Sequence, residues 1–157
     1  MTTTIDLLQD HLKQLDISPV GDFLEQLLQE DRYLEFEQAI TFNIDFPREQ
    51  SDPRELSEIP EVRLWFIRLD SVYPWLPFFL NWQEGELARY TAMLLPHEFN
   101  KTEGIKYNPI ALEIFVMHKI FILNDWLKLK NIPTNNRLKA MTQMLGYEID
   151  EAFFEIV

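Results

Sequence analysis

Asn108-Pro109-Ile110-Ala111-Leu112-Glu113-Ile114-Phe115-Val116-Met117-His118-Lys119-Ile120-Phe121-Ile122-Leu123-Asn124-Asp125-Trp126-Leu127-Lys128-Leu129-Lys130 is the stretch whose reading sets the fold class. Asn108 has the side-chain oxygen that a helix start needs for its free N–H groups, and Pro109 fits the first turn because it lacks an N–H. The spacing predicts a helix reaching Lys130, apolar on most faces and therefore surrounded by the rest of the fold. It is not a membrane span, because Glu113, His118, Lys119, Asp125 and Lys128 interrupt its apolar side chains.

Beyond it, Thr134 is read as the cap of another helix carrying Leu138, Met141, Met144 and Leu145, ended by Gly146. The apolar end, Ala152-Phe153-Phe154-Glu155-Ile156-Val157, is expected to pack back on the body. Working towards the N-terminus, residues 87–95 fit helix or strand, with Tyr90-Thr91-Ala92-Met93-Leu94-Leu95 favouring strand before Pro96; Gly85 marks a turn. In Tyr73-Pro74-Trp75-Leu76-Pro77-Phe78-Phe79-Leu80-Asn81-Trp82 two prolines interrupt regular structure, although Pro74 suits the opening of a short helix. From Pro60, the residues Val62, Trp65, Phe66 and Leu69 recur at helical spacing with Arg63 and Arg68 off that stripe; a strand through Val62, Leu64 and Phe66 is the alternative.

Residues 47–60 read as an ordered loop with three prolines among alternating charges. Ile40, Phe42, Ile44 and Phe46 alternate with Thr41, Asn43 and Asp45, the clearest strand in the chain, stopped by Pro47. Ser18 as cap and Pro19 in the first turn open a helix with Phe23, Leu24, Leu27 and Leu28 on one face. Residues 3–16 begin strand-like and run into a short polar–apolar segment. There is no internal repeat or low-complexity run. The fold class is α+β: a single mostly helical domain over residues 1–157 with a small antiparallel sheet.

That length supports a core without metal or disulfide staples. Twelve Phe, five Tyr and four Trp exclude a disordered chain and leave rings available for a contact surface. Cysteine is absent, which removes disulfides, thiolate catalysis and iron–sulfur ligation together. The first residues, Met1-Thr2-Thr3-Thr4-Ile5-Asp6, lack the basic and apolar regions of a signal peptide, so a soluble compartment is expected. The net charge is −12, and residues 1–60 hold 14 acidic against 4 basic groups. Such a field repels phosphates and argues against nucleic acid, while it suits a partner with basic segments as well as it suits solubility.

Chemistry is sparse. The four glycines, at 21, 85, 104 and 146, are scattered singly and form no phosphate cradle. His118 has Ile114, Phe115, Phe121 and Ile122 at ligand spacing, so it is read as a packed, hydrogen-bonded histidine. His97-Glu98 becomes a hydrolytic or metal site only if the fold adds Asp52 or Glu103. Ser57 and Ser71 have no nucleophile context. No enzyme activity, metal or cofactor is therefore expected. Two features favour a protein-binding surface instead. Trp65, Tyr73, Trp75, Phe78 and Trp82 concentrate large rings of the kind that anchor interfaces. Arg48, Arg54, Arg63 and Arg68 lie in or beside that segment, either pairing with Asp45, Asp52, Glu55 and Glu58 or touching a partner. The candidate binding residues are Trp75, Tyr73, Phe78, Trp82, Arg48 and Arg54. Trp65 is assigned to the core, and Trp75, held between prolines, is expected to be an exposed anchor whose loss leaves folding near wild type.

The run Asp45-Phe46-Pro47-Arg48-Glu49, then Asp52-Pro53-Arg54-Glu55-Leu56-Ser57-Glu58-Ile59-Pro60-Glu61-Val62-Arg63-Leu64-Trp65-Phe66-Ile67-Arg68-Leu69-Asp70, resembles the chlororespiratory reduction 6 family of cyanobacteria and plastids. The resemblance continues through Tyr73-Pro74-Trp75-Leu76-Pro77-Phe78, Gly85-Glu86-Leu87-Ala88-Arg89-Tyr90, Pro96-His97, Tyr107-Asn108-Pro109, Phe115-Val116-Met117-His118-Lys119 and Met144-Leu145-Gly146-Tyr147, essentially the whole chain. It implies a soluble factor that helps mature the small iron–sulfur subunit in the peripheral arm of the photosynthetic NAD(P)H dehydrogenase-like complex and then leaves. No catalytic residues come with the resemblance. It implies a protein client as partner, no nucleic acid, no stable membrane insertion, and a place in the cytoplasm, or in the stroma for plastid relatives. The missing cysteines argue that the protein shields a client and does not itself carry clusters. Without the resemblance, the residues alone leave open a protein-interaction module with another partner.

Overall fold

The computed structural model describes residues 2–157. The chain divides into two compact units, one running to Lys106 and one from Tyr107 to Val157. The first unit begins with strand β1 (Thr3–Leu8), followed by helices α1 (Gln9–Lys13) and α2 (Ser18–Gln29), strand β2 (Ile40–Asp45), and helices α3 (Pro60–Val72) and α4 (Glu86–Leu94). Strands β3 (His97–Asn100) and β4 (Gly104–Tyr107) lead to α5 (Pro109–Leu129), α6 (Asn135–Met144) and α7 (Glu151–Ile156). Short 3-10 turns occupy Leu34–Phe36, Leu56–Glu58 and Leu76–Phe78. The class is α+β and mostly helical, as the sequence predicts.

The sheet departs from a purely antiparallel one. β1 and β2 pair in parallel, Ile5 beside Phe42 and Leu7 beside Ile44, because α1 and α2 between them supply the crossover that parallel strands require. On the other face Thr4 meets Thr41 at 3.2 Å, and Asn43 donates to Asp6 at 2.9 Å. β3 and β4 form the second two-stranded sheet, joined by only three residues, a connection that antiparallel strands alone allow.

The core of the first unit forms around α3, which packs against α1, α4 and the 56–58 turn. Val62, Trp65, Phe66 and Leu69 are buried, as their spacing predicts, and the strand alternative for this segment is excluded. Phe66 stands edge-to-face with Phe42, Trp65 and Tyr90, at 5.5, 4.9 and 6.3 Å between ring centres. The Trp65 indole N–H donates to the Asp16 carbonyl at 2.7 Å, which satisfies the one polar atom of a fully buried ring.

Three local expectations are corrected. Residues 87–95 are mostly helix and not strand, since α4 spans Glu86–Leu94. Leu87, Tyr90 and Thr91 fall on its buried side, and the Thr91 hydroxyl donates back to the Leu87 carbonyl at 2.8 Å, so the β-branched residue is satisfied inside the helix. Gly85, at φ 83°, takes the left-handed turn before it. Asp16, not Ser18, provides the side chain at the start of α2, accepting from the Ser18 N–H at 3.0 Å. Thr134 holds the N-cap position of α6 but makes no capping bond there; its hydroxyl turns to Asn135.

In the second unit Asn108 accepts from the N–H groups of Ile110 and Ala111 at 3.0 and 3.2 Å, the cap its sequence predicts for α5. Phe115, Val116, Ile120, Leu123, Trp126 and Leu127 are buried along that helix. Its opposite side is not enclosed: Ile110, Ile114, Met117 and Phe121 are exposed, and His118 beside them is exposed and not packed. The apolar terminus forms α7, capped by Asp150. It folds back so far as Phe153 meets Phe121 edge-on at 5.7 Å, while Ile156 remains 84% exposed.

Candidate functional site

The predicted aromatic cluster forms a ladder with one accessible rung. Tyr73 ends α3 and lies edge-on to Trp75 at 5.6 Å; Trp75 meets Phe79 at 5.7 Å, and Phe79 meets Phe78 at 4.9 Å. Tyr73, Phe78 and Trp82 are buried, and Trp75 is half-buried, less open than the exposed anchor expected from its prolines because Tyr73 and Phe79 cover its edges. The Trp82 indole N–H donates to the Pro77 carbonyl at 2.9 Å and so fixes the turn from inside. Of the four rings named from the sequence, three position the segment and one reaches solvent. The backbone explains why. Ala39 and Ile40 donate to the Phe79 carbonyl at 2.9 and 2.8 Å, and Asn81 N–H donates to the Ile40 carbonyl at 2.8 Å. These bonds tie the proline-broken segment to the start of β2.

Tyr73 is also anchored from α2. Its hydroxyl donates towards Glu25 at 3.4 Å and lies where a side chain on Gly21 would go, 2.9 Å from an added Cβ. Burial, and then the Glu25 carboxylate, push the Tyr73 hydroxyl pKa above its usual value, so it stays a protonated donor.

The arginines of the 47–60 loop serve the loop itself. Arg54 grips Asp52 through two guanidinium nitrogens, Nε at 3.0 Å and Nη2 at 2.8 Å, and Arg48 donates to the Arg54 carbonyl. The Arg54 side-chain bonds, then its backbone N–H, hold the Asp52 carboxyl down at about 2. This contribution is complete above the ordinary aspartate range and is lost as the pH falls through about 2. A carbon-detected NMR titration is expected to show Asp52 ionised at pH 3; a midpoint in the ordinary range would show that the clamp is absent in solution. Arg48 and Arg54 therefore sit apart from Trp75 in role, as the fasteners of an ordered loop.

His97 is the residue around which the sequence offers hydrolytic or metal chemistry. Its Nε2 lies 2.8 Å from Ser57 Oγ and its Nδ1 2.9 Å from the Leu95 carbonyl. The carbonyl fixes the tautomer: Nδ1 carries the proton, and Nε2 accepts from the serine hydroxyl. A Ser–His pair of this kind resembles half of a nucleophile site, but Ser57 is only 7% exposed and a carbonyl replaces the carboxylate that would stabilise an imidazolium. The two carboxylates that the site would need are engaged elsewhere, Asp52 with Arg54 and Glu103 with Lys106. Among the described residues no group of three or more His, Asp or Glu side chains is placed to hold a metal ion. The pair clasps the loop to the β3 strand.

A further clamp fixes the edge of β2. Glu86, nearly buried, accepts from the Phe42 N–H at 3.4 Å and from Arg89 at 3.1 Å, while Arg89 donates to the Phe42 carbonyl at 3.1 Å. Burial raises the Glu86 pKa despite the Arg89 charge beside it. Side chains here take the hydrogen-bonding positions of a third strand.

One surface escaped the aromatic reading. Leu64, Ile67 and Val72 are 53%, 43% and 51% exposed on the outer side of α3, with Arg68 exposed and Arg63 half-buried among them. The signal was present in the sequence, because these residues fall off the Val62–Leu69 stripe. No helix among the described residues is long and apolar enough to cross a membrane. Residues 7–156 match the family model described as Crr6, chlororespiratory reduction 6. No solved structure matches the chain.

Proposed function

The chain belongs to the chlororespiratory reduction 6 family, whose role lies in assembly of the photosynthetic NAD(P)H dehydrogenase-like complex, and from that premise we propose that it is a soluble factor which binds and helps mature the small iron–sulfur subunit of the peripheral arm. The family match over residues 7–156 is the observation that carries this reading. The chain acts as one working unit over residues 1–157, in the cytoplasm or, for plastid relatives, the stroma. It has no cysteine with which to ligate a cluster, so its contribution is to hold the client's surface. Trp75 is the ring we assign to that contact, with Tyr73, Phe78 and Trp82 setting its position and Arg48 and Arg54 holding the neighbouring loop in shape.

Residues 1–60 carry 14 acidic and 4 basic groups, a field that draws in a client with basic segments. Purified cluster-free client subunit is expected to be retained by the immobilised protein, with cluster-loaded subunit released. Association followed by stopped flow is expected to slow several-fold between roughly 50 and 500 mM salt, as screening shortens the reach of the field. Retention of a different peripheral-arm subunit, with none of the iron–sulfur one, would overturn the choice of client. A salt-independent rate would leave the acidic surface as a solubility feature only.

A further inference from the structure

We propose that the outer face of α3 is a docking ridge for an amphipathic helix of a partner whose apolar stripe is flanked by carboxylates. This does not depend on which protein is the client, because it follows from how the chain pairs its arginines.

The chain has seven arginines amid 26 acidic residues. Five are held by their own chain: Arg32 by Glu30, Arg48 by the Arg54 carbonyl, Arg54 by Asp52, Arg89 by Glu86, and Arg137 by the Pro133 carbonyl. Arg63 and Arg68 alone have no side-chain hydrogen bond or ion pair among the described residues. Arg68 acts only weakly on Asp16, a carboxylate already held by the Ser18 N–H. Two unpaired arginines in a chain with so many carboxylates are the exception, and both lie on one helix face.

Their neighbours make the exception meaningful. Leu64 and Ile67, three residues apart, are exposed between the two guanidinium groups, and Val72 is exposed one turn beyond Arg68, so apolar side chains and arginines share the outer face of α3. The inner side of the same helix is already filled by Val62, Trp65, Phe66 and Leu69. An apolar row with free arginines at its margins complements an apolar row with Glu or Asp at its margins. Arginine is suited to that task, because its planar fork binds a carboxylate through two donors and its charge persists at any physiological pH. Glu61, in the first turn of α3, forms no ion pair with Arg63 or Arg68.

The probe is a fluorescein-labelled synthetic helix of about 20 residues with a leucine stripe flanked by glutamates, read by anisotropy. Its counterpart carries lysine at every glutamate. The acidic peptide is expected to bind and the lysine peptide not to, with affinity falling as salt rises. Arg63→Glu with Arg68→Glu is expected to weaken the acidic peptide by at least about tenfold and to admit the lysine peptide. Arg68→Gln alone is a milder change at an exposed position, and is expected to weaken the acidic peptide without altering the thermal melt. Equal binding of both peptides by the wild type, or acidic-peptide binding indifferent to charge reversal, would overturn the proposal. So would sedimentation showing that the wild type self-associates and the charge-reversed variant does not, since the occupant would then be a second copy.

Discussion

Trp65→Ala is expected to leave most of the protein unfolded at physiological temperature, whereas Trp75→Ala is expected to fold and fail to retain its client. The two rings are ten residues apart and equal in size, so the difference is one of setting. Trp65 is fully buried between α3 and the core, touches Phe66 edge-on at 4.9 Å, and spends its indole N–H on the Asp16 carbonyl. Truncation leaves a large cavity and orphans that carbonyl, a cost of about 3–5 kcal/mol. Stability in domains of this size is only about 5–15 kcal/mol in total, so the loss takes a large share of it. Trp75 is half-buried and held by edge contacts to Tyr73 and Phe79. Losing two aromatic edges costs about 1–3 kcal/mol of folding beyond the area the ring covers. An interface anchor of this size is worth about 2 kcal/mol or more, roughly thirtyfold in affinity. Thermal melts beside quantitative client retention separate the two. A Trp75→Ala protein that melts as low as Trp65→Ala would place this ring with the core. Normal melting with full retention would move the client contact elsewhere in the chain.

What the sequence disclosed and what it withheld divide along a physical line. Signals that act within one or two turns were legible. Asn108-Pro109 starts α5 with the bonds its chemistry predicts, Ile40 and Phe42 face inward on β2, and Val62, Trp65, Phe66 and Leu69 fill the core from α3. Signals that depend on partners distant in sequence were not. Whether β1 pairs with β2 in parallel depends on the α1–α2 crossover, and nothing in either strand records it. Residues 86–94 carry β-favouring Tyr and Thr, and became helix because their buried side and the Glu86–Arg89 clamp on Phe42 required it. The apolar neighbours of His118 predict packing, but Ile114, Met117 and Phe121 share its exposed face. Within the candidate site, ring content identified the segment, and only the fold distinguishes Trp75 from the buried Tyr73, Phe78 and Trp82. The same limit holds for the arginines: their number is plain, and which two lack partners is a property of the folded chain.

Gly21→Ala is expected to destabilise the protein, and the same substitution to stabilise it once Tyr73 has lost its hydroxyl. Gly21 lies within α2, where alanine is favoured over glycine by about 1 kcal/mol because it loses less backbone freedom. The helix is not what forbids it. An added Cβ would stand 2.9 Å from the Tyr73 hydroxyl oxygen, too close for both to keep their places, while the nearest ring carbons lie at an ordinary 3.6 Å. Tyr73 has little room to retreat, being buried, edge-on to Trp75 and directed at Glu25. Overpacking of this kind costs about 1–3 kcal/mol and outweighs the helical gain. Tyr73→Phe removes the one atom in conflict and gives up only a long hydrogen bond at 3.4 Å. In that background the Cβ finds ordinary contacts, and the gain of up to about 1 kcal/mol emerges. Denaturant titration of the two single variants and the double variant gives the coupling directly. A change of sign is the expected result, and additivity would show that Gly21 and Tyr73 do not compete for the same space. Because Tyr73 is the neighbour that sets Trp75, Gly21→Ala is also expected to weaken client retention, and Tyr73→Phe to restore it in the double variant. Retention that stays at the wild-type level in Gly21→Ala, despite the loss of stability, would show that Trp75 keeps its place independently of the contact between α2 and Tyr73.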